Sequence, residues 1–324
     1  MSGDQTPKKI GFIGLGVMGA PMARRLIEAG FSVAVFDMAH TAMNMFQRLD
    51  CRVCESPRDV GQYADLLVLM LPNSDHVRAV LFGKDGAVET LQQGSLVVDM
   101  GTGDADQCIN ILHDLQSASL RYIDAPVCRG KMEAETGELL ILAGGAETDI
   151  AEARSIFDQL GETTIHVGEV GSGLRLKLVN NYLSMVHMVL AAEGLNFVAK
   201  LGIDRNVAMQ VFAETPAGKG QLLTNYPRKV LAGDLVADFP LRMGLKDISL
   251  ALKLGAAVGA PLLLGAVARE LYALAQPLGR SEQDCTAMLM LLKDISEDRE
   301  LRASSTAVAG PQKIYEQKIG KVLQ

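Results

Sequence analysis

Short apolar runs alternate with stretches of helical periodicity over the N-terminal part of the chain. The runs Ile10 to Ile13, Ser32 to Phe36, Leu66 to Leu71, Leu96 to Asp99, Arg121 to Ala125, Glu138 to Leu142 and Thr164 to Val167 predict strands. Several intervals between them, beginning with Val17 to Ala29, carry apolar residues at the three- and four-residue spacing of a helix. Leu67 to Leu71 is apolar without interruption, as a parallel strand covered on both faces requires, and Pro72 and Asn73 end it. From Gly171 onward the strands cease. Helical patterns occupy Leu174 to Lys200, Asp204 to Glu214, Gln221 to Leu231, Leu245 to Gly255, Leu262 to Leu278 and Asp284 to Ile295. The change predicts an α/β unit over residues 1–168 followed by an all-α unit over 169–300. Residues 301–324 are polar, mix Ser, Thr, Gly and Pro, and read as a flexible tail.

Gly14, Gly16 and Gly19, with Val17 and Met18 among them, lie between the first strand and the first helix, and Asp37 follows the second strand. A GxGxxG turn in that order predicts a Rossmann dinucleotide-binding unit. Gly14 permits the tight turn, Gly16 lets the backbone approach a pyrophosphate, Gly19 lets helix pack on strand, and the helix N-terminus offers amides to the phosphates. Asp37 is placed to accept from ribose hydroxyls. Its carboxylate repels a 2′-phosphate, and Met38, Ala39 and His40 supply no arginine to hold one, so NAD is expected in preference to NADP. Ligands of such sheets lie beyond the carboxyl ends of the strands, which adds Leu71, Pro72, Asn73 and Thr102 as cofactor-binding candidates.

Composition narrows the classes. A chain of 324 residues, 48% hydrophobic, is long enough for two units with cores of their own. A net charge of −7 argues against nucleic acid as a partner. No apolar h-region opens the chain and no uncharged run spans a bilayer, so a cytoplasmic protein without membrane association is expected. Five cysteines, an odd number, fit reduced thiols, and the Cys51–Cys54 pair lacks the second pair a zinc site needs. His40, His76, His113, His166 and His187 are scattered, and no metal is expected.

Within the all-α unit, Leu174 to Leu190 is apolar almost all round, which predicts a buried helix. Lys177, Asn180, Asn181 and Ser184 interrupt it at i, i+3, i+4 and i+7 and so share one face. A buried ammonium is costly unless it is paired or deprotonated, and two readings of Lys177 stand. It is a general acid and base whose basicity is lowered by desolvation and by a second cation, for which Lys246 is the candidate. Or it snorkels to solvent while the asparagines bridge helices, and Asp247 neutralises Lys246.

The motifs together resemble those of the β-hydroxyacid dehydrogenases, the family of 3-hydroxyisobutyrate dehydrogenase and tartronate semialdehyde reductase, over roughly residues 9–296. Ile13 to Gly19 with Pro21 and Met22 is similar to the family's cofactor loop, Asp124 to Val127 to its substrate loop, Gly171, Gly173 and Lys177 to Asn181 to its catalytic helix, and Lys246 with Asp247 to its second lysine motif. The resemblance implies a Rossmann domain, a helical domain entered through a long interdomain helix, and a site in the cleft between them. It implies Lys177 and Asn180 as catalytic residues, Asn181 beside them and Lys246 near cofactor and substrate; Ser184 is expected near the substrate because it shares their helix face. It also implies a small anionic aldehyde or hydroxy acid as substrate, and the apolar character of the helical unit leads to the expectation of a homo-oligomer, dimer or tetramer.

The substrate loop departs from the common Ser, Gly, Gly, reading Cys128, Arg129, Gly130. A permanently charged planar fork at 129 suits a carboxylate or sulfonate. That change, with Arg175 to Tyr182, Thr215 to Gly220, Lys229 to Leu235 and Pro261 to Glu270, resembles the branch of the family that interconverts 3-sulfolactaldehyde and 2,3-dihydroxypropane-1-sulfonate. Gly101 stands where the family tends to place Ser. Ala217 to Gly220 is too incomplete for a phosphate loop, and Lys219 is either near the cleft or a solvated turn residue. A different class, an NAD-binding sensor without turnover, explains the glycine loop equally well but has no use for Lys177 and Asn180.

Overall fold

The computed structural model describes residues 9–296 apart from 216, 217 and 219. The expected tail at 301–324, with Ala217 and Lys219, lies outside the described residues. In chain order the elements are β1 (Lys9–Ile13), α1 (Gly19–Glu28), β2 (Ser32–Phe36), α2 (His40–Met43), β3 (Arg52–Val53), α3 (Pro57–Tyr63), β4 (Leu66–Leu69), α4 (Ser74–Phe82), β5 (Leu96–Asp99), α5 (Ala105–Ser117), β6 (Arg121–Asp124), β7 (Val127–Cys128), α6 (Lys131–Thr136), β8 (Leu139–Gly144), α7 (Glu147–Leu160) and β9 (Gly161–Gly168). Helices follow: α8 (Ser172–Lys200), α9 (Arg205–Glu214), α10 (Asn225–Arg228), α11 (Leu241–Ala257), α12 (Leu263–Ala273) and α13 (Met288–Ser296).

One sheet holds the strands, in the order β3-β2-β1-β4-β5-β6, then β8, which β7 and β9 also join. The first six are parallel, and strand order reverses at β1, flanked by β2 and β4. This is the dinucleotide-binding order, with its ligand crevice at the switch between β1 and β4. Every residue of β4 and β5 is buried, as strands covered by helices on both faces must be. Side-chain caps fix where helices begin: Ser56 accepts from the Asp59 amide ahead of α3, Asn73 from the His76 amide ahead of α4, and Asp104 from the Asp106 amide ahead of α5. A first core fills the sheet layers and reaches Leu174 at the start of α8. A second lies among the C-terminal helices, where Met185 and Met188 of α8 meet Tyr226, Leu241, Tyr272 and Met288. The 29-residue α8 joins the two.

Four expectations need correction. The apolar helix Leu174 to Leu190 is buried on one side only: Leu176, Val179, Leu183 and Leu190 are 42 to 62% exposed and follow one stripe along α8. In place of the helix expected over Gln221 to Leu231 there are α10, where Pro227 lacks the amide that would bond the Leu223 carbonyl and extend the ladder backwards, and a 3₁₀ turn at Val230–Ala232 beyond a break at Lys229 (φ −111°, ψ −101°). Leu262 to Leu278 is regular α-helix only to Ala273, and Asp284 to Ile295 opens with a 3₁₀ turn before α13. The two-residue strands β3 and β7 are too short to carry a periodicity.

Candidate active site

The glycine turn is held from three sides. Gly14 has φ of +103°, and its amide donates to the Phe36 carbonyl at 3.0 Å. A Cβ there would strike the Met70 carbonyl, and one at Gly19 would strike the Gly14 carbonyl, whereas the space around Gly16 is open. The Ala20 amide closes the first helical bond, on the Gly16 carbonyl at 3.0 Å. The amides of Val17 and Met18 therefore precede the hydrogen-bonded ladder of α1. At the end of β2, Asp37 accepts the Leu15 amide on Oδ2 (2.6 Å) and the Ala39 amide on Oδ1 (2.7 Å). Its carboxylate orders the turn and stays half-buried beside it. An open cradle, a helix N-terminus and a carboxylate at the tip of the second strand fit a dinucleotide.

Beyond β4 and β5, the segments carrying Leu71, Pro72 and Asn73 and carrying Thr102 lie together. The Asp104 amide donates to Ser74 Oγ at 2.9 Å, and a Cβ at Gly101 would fall 2.6 Å from the Leu71 carbonyl, which accounts for glycine where the family tends to have Ser. Asp99, buried beneath this segment, accepts from the Gly101 amide (3.0 Å) and the Tyr122 hydroxyl (3.1 Å). Burial pushes its carboxyl up to about 6.

Asp124 ends β6 and fastens α8 to the sheet. Its Oδ1 accepts from the Gly171 amide at 2.6 Å and its Oδ2 from the Leu174 amide at 2.7 Å. The approach is close enough that a Cβ at Gly144 or Gly173 would run into the carboxylate. The clamp satisfies amides at the start of α8 that the helix itself leaves unpaired. Desolvation holds the Asp124 carboxyl at about 6 even against these two amides.

Lys177, one turn further, is 8% exposed. Its Nζ lies 3.8 Å from Cys128 Sγ, so the loop of Cys128, Arg129 and Gly130 reaches this ammonium. Asn180 is exposed and donates to Asn181 Oδ1 at 3.2 Å. Buried Asn181 donates to Asp247 Oδ2 at 2.7 Å. Asp247 Oδ1 stands 3.0 Å from Lys246 Nζ, an ion pair at an angle outside hydrogen-bonding range, so this buried oxygen has no hydrogen-bond partner. Lys246 Nζ donates to the carbonyls of Pro72 and Thr102, both at 2.8 Å. A polar chain thus runs from α8 through α11 to the segments beyond β4 and β5.

The structure decides between several readings. Lys246 is neutralised by Asp247 and bonded to two carbonyls, so it is not the unpaired cation expected to lower the basicity of Lys177. Ser184 accepts from Gln221 Nε2 at 2.9 Å and does not join Lys177 or Asn181. The Arg129 guanidinium, expected in the substrate pocket, donates instead to Glu162 Oε2 and the Glu138 carbonyl. Gly130 caps α6, its amide donating to Glu133 Oε2 at 2.9 Å. Sequence reasoning missed the Asp124 clamp, the Asn181–Asp247 bond and a second tie between α11 and the α/β unit, Lys253 to Asp104 at 2.5 Å. The last had a signal: Lys246 and Lys253 are seven apart and so share a helix face.

A glycine cradle at the switch point, with a helical unit whose first helix carries a buried lysine against the Cys128 loop, fits a dinucleotide-dependent oxidoreductase. Residues 9–168 match the NAD-binding domain of 6-phosphogluconate dehydrogenase, and residues 171–292 match the NAD-binding domain of NADP-dependent 3-hydroxyisobutyrate dehydrogenase. The chain is 38% identical over 280 residues to the 3-sulfolactaldehyde reductase of Escherichia coli, covering 86% of this chain and 94% of that one. It is 31% identical to a probable mitochondrial 3-hydroxyisobutyrate dehydrogenase of Dictyostelium discoideum, over 86% of this chain and 88% of the relative. The solved 3-hydroxyisobutyrate dehydrogenase of Salmonella typhimurium superposes with a TM-score of 0.80 at 28% identity, covering 88% of this chain and 99% of the other. The chain belongs to the β-hydroxyacid dehydrogenase family and is a dehydrogenase or reductase acting on CH–OH groups.

Proposed function

We propose that the chain uses NADH to reduce a small anionic aldehyde, 3-sulfolactaldehyde, to 2,3-dihydroxypropane-1-sulfonate. The observation that carries this reading is the buried Lys177 ammonium against the Cys128 loop, on the helix clamped to the cofactor unit. The sulfonate is supported by the relative in Escherichia coli and by Arg129. A carboxylate substrate, of the tartronate semialdehyde or 3-hydroxyisobutyrate kind, is the second reading. It is favoured by the Arg129–Glu162 ion pair, which occupies the loop's cation.

When bound, the dinucleotide supplies the hydride. Lys177 Nζ gives the proton to the carbonyl oxygen as it becomes an alcohol and takes it back in the oxidising direction. Asn180 positions the substrate oxygen or the Lys177 ammonium, while Asn181 and Asp247 fix the helix faces around them. Lys246 holds the Pro72 and Thr102 segments that border the cofactor crevice. Asp37 selects NAD over NADP by repelling a 2′-phosphate. The unit boundary at residue 168 then separates cofactor binding from a substrate and dimerisation unit. Self-association through that unit is supported by its exposed apolar stripe on α8 and by Leu263, Leu264 and Val267 on α12, more than 60% exposed.

The test is NADH oxidation with 3-sulfolactaldehyde and tartronate semialdehyde side by side. A higher kcat/KM for the sulfonate, reduced in Arg129→Gly, is the expected result. Equal values would reject the sulfonate and leave the family assignment standing.

A further inference from the structure

Arg129 is held in an unusual way. Its φ of +77° lies in the left-handed region, where a side chain is rarely tolerated and where the family's glycine would sit without strain. Its Nη1 donates both to Glu162 Oε2 at 2.6 Å and to the Glu138 carbonyl at 2.5 Å. Together with Glu133 and Glu138, Glu162 surrounds the guanidinium with negative charge and raises its pKa further. The preceding residue, Cys128, touches Lys177. The arginine thus follows in the chain the residue that meets Lys177, while its charge is engaged by a carboxylate of β9.

We infer that Glu162 determines specificity: its carboxylate is a resident anion in the Arg129 fork, and an anionic substrate must displace it. The inference rests on the reading that Arg129 binds the substrate's anionic group. The displacement is easy, because both side chains are partly in water, 39% and 62% exposed, and an exposed ion pair biases an equilibrium by roughly two- to fivefold. Affinity for the anion falls by the fraction of time the guanidinium is engaged. An uncharged aldehyde does not need the fork and is indifferent to Glu162. The carboxylate thus lowers the affinity of every anion that uses the fork by one common factor, and so sets how strongly an anionic aldehyde is preferred over an uncharged one.

The experiment compares wild type, Glu162→Gln, Glu162→Asp, Arg129→Gly and the Glu162→Gln/Arg129→Gly pair. Substrates are 3-sulfolactaldehyde and glyceraldehyde, the same three-carbon aldehyde with a hydroxyl in place of the sulfonate. Glu162→Gln is expected to lower KM for 3-sulfolactaldehyde about two- to fivefold with kcat unchanged and glyceraldehyde unaffected. Glu162→Asp, which keeps the charge, stays near wild type, and the Glu162→Gln effect vanishes when Arg129 is glycine. If Arg129→Gly abolishes the preference for the sulfonate but Glu162→Gln changes nothing, the inference fails and the substrate reading survives. If Arg129→Gly leaves the preference intact, Arg129 is not the ligand of the substrate's anionic group and the inference falls with that role, while the sulfonate reading stands. Equal KM changes for both aldehydes would make Glu162 merely structural and overturn the proposal.

Discussion

Replacing Gly16 and Gly19 by alanine, one at a time, separates cofactor binding from folding. The structure assigns the two glycines different jobs although they are three residues apart. At Gly16 a Cβ finds nothing within 4 Å and the residue is exposed, so the apoprotein of Gly16→Ala keeps its stability. The stiffer unfolded chain adds a small gain, about 0.4–1 kcal/mol. The same methyl stands where the pyrophosphate has to meet backbone. Intrusion of that size costs about 1–3 kcal/mol, or roughly 5- to 150-fold in Kd. At Gly19 the Cβ would collide with the Gly14 carbonyl and lie 3.3 Å from the Phe12 ring, so the turn itself must move. Gly19→Ala therefore loses about 1–3 kcal/mol of stability without ligand. Thermal melts of the apoprotein and calorimetric titration with NADH read the two quantities independently. Wild-type NADH affinity in a well-folded Gly16→Ala would refute the placement of the dinucleotide on this turn.

Other expectations follow from the same geometry. Lys177→Ala retains NADH binding but loses turnover, and a variant that still turns over in steady-state assay would exclude Lys177 as proton donor. Asp37→Ala lowers the ratio of NADH to NADPH in kcat/KM; because it also frees the Leu15 amide, the ratio and not the absolute rate is the readout. For pH, Asp99 is held at about 6 by burial, above the 3.8 of the unfolded chain, so the native state binds its proton more tightly. Its contribution to stability falls as pH rises from about 4 to about 6 and is level above, by at most about 1.4 kcal/mol per unit. Asp99→Asn keeps an acceptor for the Gly101 amide and removes that slope. Denaturant midpoints should shift in favour of the variant across this window, and a constant difference would contradict the assignment.

How far the sequence could be read varied with the range of the interaction. Ser32–Phe36 and Leu96–Asp99 have the expected bounds because an apolar run buried on both sides announces itself residue by residue. The glycine turn was legible for the same reason: its steric demands are met within one βαβ unit. Asn181 and Asp247 are 66 positions apart, and only the packing of α11 on α8 makes them partners. Asp124 belongs to a recognisable motif, but the amides that donate to it, those of Gly171 and Leu174, lie 47 and 50 positions downstream. The exposed stripe of α8 is invisible to periodicity, which shows which faces are apolar and not what covers them. Arg129 was judged by its charge, while its direction depends on Glu162, a residue no local pattern connects to it.

The Asp124 clamp also limits how the crevice can open. Any motion that keeps both amide bonds must swing α8 about its own root, and in such a lever the displacement grows with distance from the pivot. Lys177 is three residues past Leu174, about 4.5 Å along the axis, and barely travels. α11 sits further from the pivot and is tied to the α/β unit by the Lys246 bonds to Pro72 and Thr102 and by the Lys253–Asp104 pair, so these are the bonds such a swing has to release. The proposed proton donor would be the quiet point of a moving jaw, aimed before the jaw closes.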